Sequence, residues 1–373
     1  MYLLNIRENE DRKQLIKQSI DLNNINILIT GAAGFIGASL TLRLLSELEG
    51  STIVGIDTVN DYYSRELKEY RLGLIEKKAE GSDCQWSFQK ISITDREALS
   101  GLFEQYHFEV VVNLAAQAGV RYSLINPDAF MESNIIGFYT VLEVCRKYLP
   151  KHLVFASSSS VYGGNTKVPF CMSDRTDTPI SLYAATKKSN ELMAYTYAKL
   201  YGLPCTGLRF FTVYGPFGRP DMAYYKFADK LAGGEKLQVY NFGNCKRDFT
   251  YVDDTIEGVF RVLQGAPLSS VRTEDGSEEQ AVPYALYNIG GGNPEDLMEF
   301  IRVLSKELGA FGVLPEGFEL EEHIEYLPMQ PGDVEITYAD STELERDFDF
   351  IPKIGIREGL RKFAKWYSGY LRS

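Results

Sequence analysis

Short apolar runs alternate with amphipathic stretches through the first half of the chain. Asn26–Thr30, NILIT, is apolar in its middle and runs into Gly31. Such a run predicts a strand buried on both faces. Ala38–Leu48 follows at helical spacing. Thr52–Ile56 repeats the strand pattern, as do Val110–Leu114 and Leu153–Ala156. Helical spacing returns around 95–106 and 128–149. Strands alternating with helices predict an α/β fold with a doubly wound parallel sheet. The pattern does not decide between six and seven strands.

From about residue 216 the pattern loosens. Pro216, Gly218, Pro220, Gly233, Gly234, Gly243 and Gly290–Gly292 break it into short pieces. Residues 266–283 are polar and read as a surface loop. The expected division is an N-terminal extension over 1–24, a nucleotide-binding domain over 25–205, and a smaller, loop-rich C-terminal substrate domain over 206–373. Some strands of that last part are expected to return to the first domain. Residues 1–24 carry mixed charges and no apolar signal core, and read as an exposed helical extension.

Composition narrows the partners. The net charge is −12 over 373 residues, which argues against a nucleic-acid partner. No apolar run approaches membrane-spanning length. The five cysteines (Cys84, Cys145, Cys171, Cys205 and Cys245) and three histidines are scattered. They predict no metal site and thiols kept reduced in a cytoplasmic setting.

Gly31-Ala-Ala-Gly34-Phe-Ile-Gly37 joins the first strand to the first helix. Glycines at this spacing permit a tight turn, a close approach to a pyrophosphate, and close helix–strand packing. Asp57 ends the next strand, 20 residues past Gly37. A carboxylate there accepts ribose hydroxyls and repels a 2′-phosphate, which favours NAD over NADP. The reading is a Rossmann-type dinucleotide site.

Tyr183 and Lys187 stand at i, i+4, on one helical face. The ammonium is expected to lower the phenol's pKa, which is otherwise about 10 and too high for a base at neutral pH. A nicotinamide cation would act in the same direction. Ser157–Ser160 follow the apolar run LVFA, at a strand's carboxyl end, where doubly wound sheets bind ligands.

Together these stretches resemble the extended short-chain dehydrogenase/reductase family. The chain looks most like the UDP-glucuronate 4-epimerases of capsular and cell-wall polysaccharide synthesis. The likeness covers about residues 25–365. It rests on GIDTVNDYYSRELKEYRL (55–72), NLAAQAGVRYSLINPDAF (113–130), SLYAATKKSNELMA (181–194), LRFFTVYGPFGRPDMA (208–223), RDFTYVDD (247–254) and MQPGDVEITYAD (329–340).

The resemblance implies the following roles. Tyr183 is the base, Lys187 its modifier and a ribose ligand, and Ser158 the relay to the sugar 4-hydroxyl. Phe35 and Ile36 offer backbone N–H groups to the NAD pyrophosphate. Ala115, Ala116 and Gln117 line the cofactor, with Asn134 and Phe211 near the nicotinamide. Arg247 and Asp333 grip the UDP. Ser159, Ser160, Thr212 and Arg219 hold a uronate carboxylate, and Arg121 is a further anion ligand. One departure is Ser92, where the family usually has an adenine-binding Asp; Asp95 is a possible substitute, and Ile93 is the expected adenine contact. The implied reaction is 4-epimerisation of UDP-glucuronate to UDP-galacturonate by an NAD-dependent isomerase. A homodimer through the helices near 128–148 and 182–200 is expected by family analogy.

Three rivals stand beside this reading. Decarboxylases and dehydratases of the same fold carry an acidic residue where this chain has Ser160. Epimerases of a neutral UDP-hexose or UDP-N-acetylhexosamine usually have Asn where this chain has Thr212. A silent NAD-sensing scaffold protein has no need of an intact Tyr183, Lys187 and Ser158.

Overall fold

The structure, a computed structural model, describes residues 17–272, 278–329 and 334–371. Seven strands form one sheet: β1 (Asn26–Thr30), β2 (Thr52–Ile56), β3 (Gln85–Gln89), β4 (Val110–Asn113), β5 (His152–Ser158), β6 (Cys205–Phe210) and β7 (Tyr284–Ile289). All neighbours run parallel, in the order β3-β2-β1-β4-β5-β6-β7. Strand order reverses between β1 and β4, and such a switch point opens a crevice at the strands' carboxyl ends. The doubly wound sheet is therefore as expected.

The apolar runs are continuous because both sheet faces are covered. Ile27, Ile29, Ile53, Val110 and Val112 point into one core. Their alternates Leu28, Val54, Ile56 and Val111 point into the other. On the first face α1 (Phe35–Glu47) packs against α2 (Arg65–Ala79) and the helix Val252–Leu263. On the second, α3 (Arg96–Tyr106) packs against α4 (Phe138–Tyr148), which also meets α5 (Leu182–Tyr201). A wide π turn over Met131–Gly137 leads into α4.

The C-terminal lobe holds a small sheet of Pro294–Asp296, Lys246–Tyr251 and Thr212–Tyr214. Asp248, fully buried, knits it together by accepting from the amides of Gly291, Gly292 and Ala339. Among the described residues no helix is long and apolar enough to cross a membrane.

Two expectations are corrected. Residues 17–24 are not an exposed helical extension. Lys17–Ser19 is a strand paired antiparallel with Gly265–Pro267, and Ile20 and Leu22 are buried. These apolar side chains gain more by docking than a solvated helix would offer. Residues 1–16 lie outside the described residues. The polar stretch 266–283 is also not all loop: Ser270–Arg272 pairs with Glu278–Gln280.

Candidate active site

A cavity of about 1060 Å³ opens at the carboxyl ends of β1, β4 and β5 and continues into the C-terminal lobe. That volume suits a dinucleotide with a second ligand beside it.

The glycine loop forms one end. Gly31 has φ +74°, and a Cβ there would meet the Ala115 amide nitrogen at 2.7 Å; one on Gly37 would meet the Gly31 carbonyl oxygen at 2.2 Å. The close approach therefore needs glycine. No side chain caps α1 at Gly34, so its first-turn amides are left for an anion. Asp57 lies on the cavity wall, where its carboxylate accepts from the Ala33 and Val59 amides. A cradle of this kind fits a dinucleotide pyrophosphate with its ribose against Asp57.

Ile93, Ala115, Ala116, Gln117 and Phe211 line the same cavity, as do Phe35 and Ile36. Ser92 also faces it, with its hydroxyl bonded to Thr94. Asp95 does not stand in for the missing carboxylate: it caps α3 by accepting from the Ala98 amide. Asn134 sits one layer behind the wall. It is 1% exposed and clamps Gln117 through both backbone groups, while its amide nitrogen also bonds Thr186. It thus ties the cavity wall to α5.

Tyr183, Lys187 and Ser158 meet at the middle of the cavity. Ser181 caps α5 by accepting from the Ala184 amide, which fixes where the helix starts and so where Tyr183 points. The Ser158 hydroxyl bonds Tyr183, and accepts from the Ser160 hydroxyl and amide. Burial pushes the Tyr183 phenol up, while the Ser158 bond and the Arg219 charge pull it down. The net direction is upward, and the expected lowering by Lys187 is not seen: Lys187 is not among the groups that act on the phenol in the chain alone.

Lys187 is 3% exposed, and its ammonium donates to the Ala156 carbonyl at 2.9 Å. Burial pushes its pKa down to about 8. Between that value and the ordinary 10.5, the unfolded chain binds the proton and the folded chain does not. Stability from this group therefore rises with pH across the window. Below it both states are charged and the burial penalty is complete, with a ceiling of about 3 kcal/mol. Lys187→Met should thus stabilise the ligand-free chain at pH 7 by about 1–2 kcal/mol, allowing for the lost Ala156 bond. In urea denaturation the gain should shrink as pH approaches 10; an equal gain at both pH values would refute the assignment.

The far end of the cavity is lined by Ser159, Ser160, Thr212, Arg219, Arg121 and Arg247. Arg247 donates to the Lys246 and Glu335 carbonyls, and the Arg121 guanidinium stacks over the Tyr240 ring. Arg219 is not an open fork. Its Nε and Nη2 already hold the Asp221 carboxylate, which leaves Nη1 for a ligand. Asp333 lies outside the described residues.

Several residues at the site escaped the sequence reading. Tyr62 and Lys68 line the cavity. Ser157 lines the cavity but donates its hydroxyl to Glu191, which pairs with Arg209 beneath the site. Glu191 had a signal: with Tyr183 and Lys187 it continues one face of α5 at i+4 steps.

Known proteins with this build agree. The model of the NAD dependent epimerase/dehydratase family matches residues 27–270. Protein CapI of Staphylococcus aureus is 47% identical over 93% of this chain and 100% of its own length. A probable UDP-glucuronate 4-epimerase of Rhizobium meliloti (strain 1021) is 42% identical over 91% of this chain and 96% of its own. Among solved structures, UDP-glucuronic acid 4-epimerase from Bacillus cereus, in complex with UDP-glucuronic acid and NAD, superposes with a TM-score of 0.78. It is 29% identical and covers 93% of this chain and 100% of its own. The chain belongs to the NAD dependent epimerase/dehydratase family, in keeping with the resemblance to extended short-chain dehydrogenase/reductases that its sequence stretches carry.

Proposed function

We propose that this chain inverts C4 of UDP-glucuronate to give UDP-galacturonate. The observation that carries the reading is one continuous cavity. It joins an NAD-type glycine cradle, the Tyr183–Lys187–Ser158 cluster, and an arginine-bearing end. The named epimerases among its relatives support the choice of sugar.

When bound, NAD supplies a reversible hydride acceptor for C4, so no net redox change accompanies the reaction. Gly31, Gly34, Gly37, Phe35 and Ile36 hold its pyrophosphate, and Asp57 and Lys187 its riboses. Tyr183 takes the proton of the 4-hydroxyl, with Ser158 orienting that hydroxyl. The product of this half-reaction is a transient 4-keto sugar. Arg247 keeps the UDP anchored while the sugar turns over, and Tyr183 then returns the proton. Ser159, Ser160, Thr212 and Arg219 hold the carboxylate during this turn. A ketone at C4 makes that carboxylate part of a β-keto acid, so its restraint also guards against loss of CO2.

The active unit we propose is a homodimer. On α4 and the π turn before it, Met131, Ile136 and Tyr139 are 43%, 54% and 42% exposed; on α5, Leu192 and Tyr195 are 58% and 46% exposed. Apolar side chains clustered on two neighbouring helices suit a second copy.

Purified chain incubated with UDP-glucuronate and followed by NMR should form UDP-galacturonate without added reductant. UDP-xylose as the main product would move the reading to a decarboxylase. Turnover of UDP-glucose alone would move it to a neutral-sugar epimerase, and no turnover of either would favour a silent NAD-binding protein. Sedimentation of the same sample as a monomer would remove the dimer.

A further inference from the structure

Residues 60–71 have no part in the reaction just described, yet Asn60, Tyr62, Tyr63 and Lys68 line the cavity. The Tyr62 hydroxyl lies 3.1 Å from Asp221 Oδ2 and 2.8 Å from the Ala118 carbonyl oxygen. Asp221 in turn receives Arg219 Nε at 2.9 Å and Nη2 at 2.5 Å. Arg71 is 1% exposed. From Nε and Nη2 it donates to the Phe217 carbonyl, and from Nη2 also to that of Gly218. From Nη1 it donates to the Ala33 carbonyl, inside the glycine loop, and to the Tyr63 hydroxyl.

The loop so gripped is strained. Phe217 has φ +62°, a left-handed conformation that a bulky residue keeps only when its surroundings impose it. Its carbonyl takes two donors from one buried cation. Arg219 follows two residues later. A guanidinium on a long, rotamer-rich side chain does not aim itself; the Asp221 carboxylate, held by Tyr62, fixes it in a two-point bond.

We propose that residues 60–71 form a specificity strap, in which Tyr62 and Arg71 are positioning residues that aim Arg219 at the anionic group of the bound sugar. The proposal rests on the uronate reading of the site. The strap explains why Asp221 engages an arginine needed for a ligand: the pair leaves Nη1 as the edge presented to the sugar, at a fixed place. The strap also joins that place to the glycine loop through Ala33, so the carboxylate subsite and the pyrophosphate cradle share one buried anchor.

The test uses the full chain with Tyr62→Phe and Asp221→Asn. Hydrogen–deuterium exchange is read on peptides covering 217–224, and calorimetry gives the affinity for UDP-glucuronate and for UDP-glucose. Tyr62→Phe should speed exchange in those peptides and weaken UDP-glucuronate roughly 10-fold, the lower end expected for one hydrogen bond to a charged group. Affinity for UDP-glucose and the melting temperature should hold. Asp221→Asn should speed exchange and weaken UDP-glucuronate more strongly, again sparing UDP-glucose, with a lower melting temperature because it unpairs Arg219. Unchanged exchange in both variants would overturn the strap, as would equal losses for the two sugars. If the unaltered chain binds the two sugars equally, the uronate reading fails, and exchange alone then decides whether the strap holds the loop.

Discussion

Tyr183→Phe should lower epimerisation by about 10²–10⁴-fold, the range for loss of a positioned acid–base group, with bound NAD and fold retained. The substitution removes one oxygen. The ring keeps its edge contact with Phe130, at 5.9 Å between centroids, and the helix keeps its Ser181 cap. What is lost is the group that bonds Ser158 and can exchange a proton with the 4-hydroxyl. In the chain alone, burial holds that phenol above its ordinary value, so it is protonated at neutral pH. It becomes a base only when cationic charge is brought against it. Lys187, with a pKa of about 8, remains mostly charged at pH 7 but does not by itself bring the phenol down in the chain alone; the nicotinamide cation supplies the further charge. Wild-type turnover should therefore fall as pH rises past 8, where Lys187 loses its charge, and the residual rate of Tyr183→Phe should not follow that fall. A variant keeping a tenth of wild-type turnover would remove Tyr183 from the role. Loss of bound NAD would show that the hydroxyl serves binding instead.

How far the sequence revealed this site depends on the range of the interactions. The glycine loop, Asp57 and the Tyr183–Lys187 pair were legible because their logic is local. A strand end, a helix start and an i, i+4 step are set by neighbours in the chain. β3 was harder: Gln85–Gln89 is an edge strand with no fully buried residue, so it lacks the apolar run that marks β1 and β4. β7 joins the sheet after the small lobe has begun, and only tertiary pairing reveals it. Arg71 is invisible as an anchor because its acceptors at Phe217 and Gly218 lie 146 and 147 residues away. The four serines read as a single block. The strand's alternation separates them, sending Ser157 to Glu191 and Ser158 toward Tyr183.

That separation exposes a buried ion pair beneath the site, and Glu191→Ala should destabilise the chain by about 3–5 kcal/mol, the cost of leaving a buried charge without its partner. Glu191 and the Arg209 side chain are each 2% exposed, and Nε meets Oε1 at 2.7 Å. A second bond joins Nη2 to Oε2 at 2.9 Å. Burial pushes the Glu191 carboxyl up, but Arg209, Lys188 and Ser157 more than offset it and hold it below the usual 4.5. A lowered folded pKa means stability that is fully present above 4.5 and lost as pH falls through the folded value. The difference between wild type and Glu191→Ala, read from urea midpoints, should hold from pH 8 to pH 5 and narrow only under stronger acid. The double variant Glu191→Leu with Arg209→Met should recover most of the loss, because the penalty belongs to the orphaned guanidinium rather than to the missing attraction. Turnover should not recover with it. Glu191 also takes the Ser157 hydroxyl at 2.7 Å, one residue from Ser158 and one helical turn from Lys187. An apolar pair fills the space but does not hold that strand end to that helix. Full recovery of turnover in the double variant would show that packing alone sets the site's geometry; recovery of stability without turnover would make the ion pair a positioning device whose stability contribution is secondary.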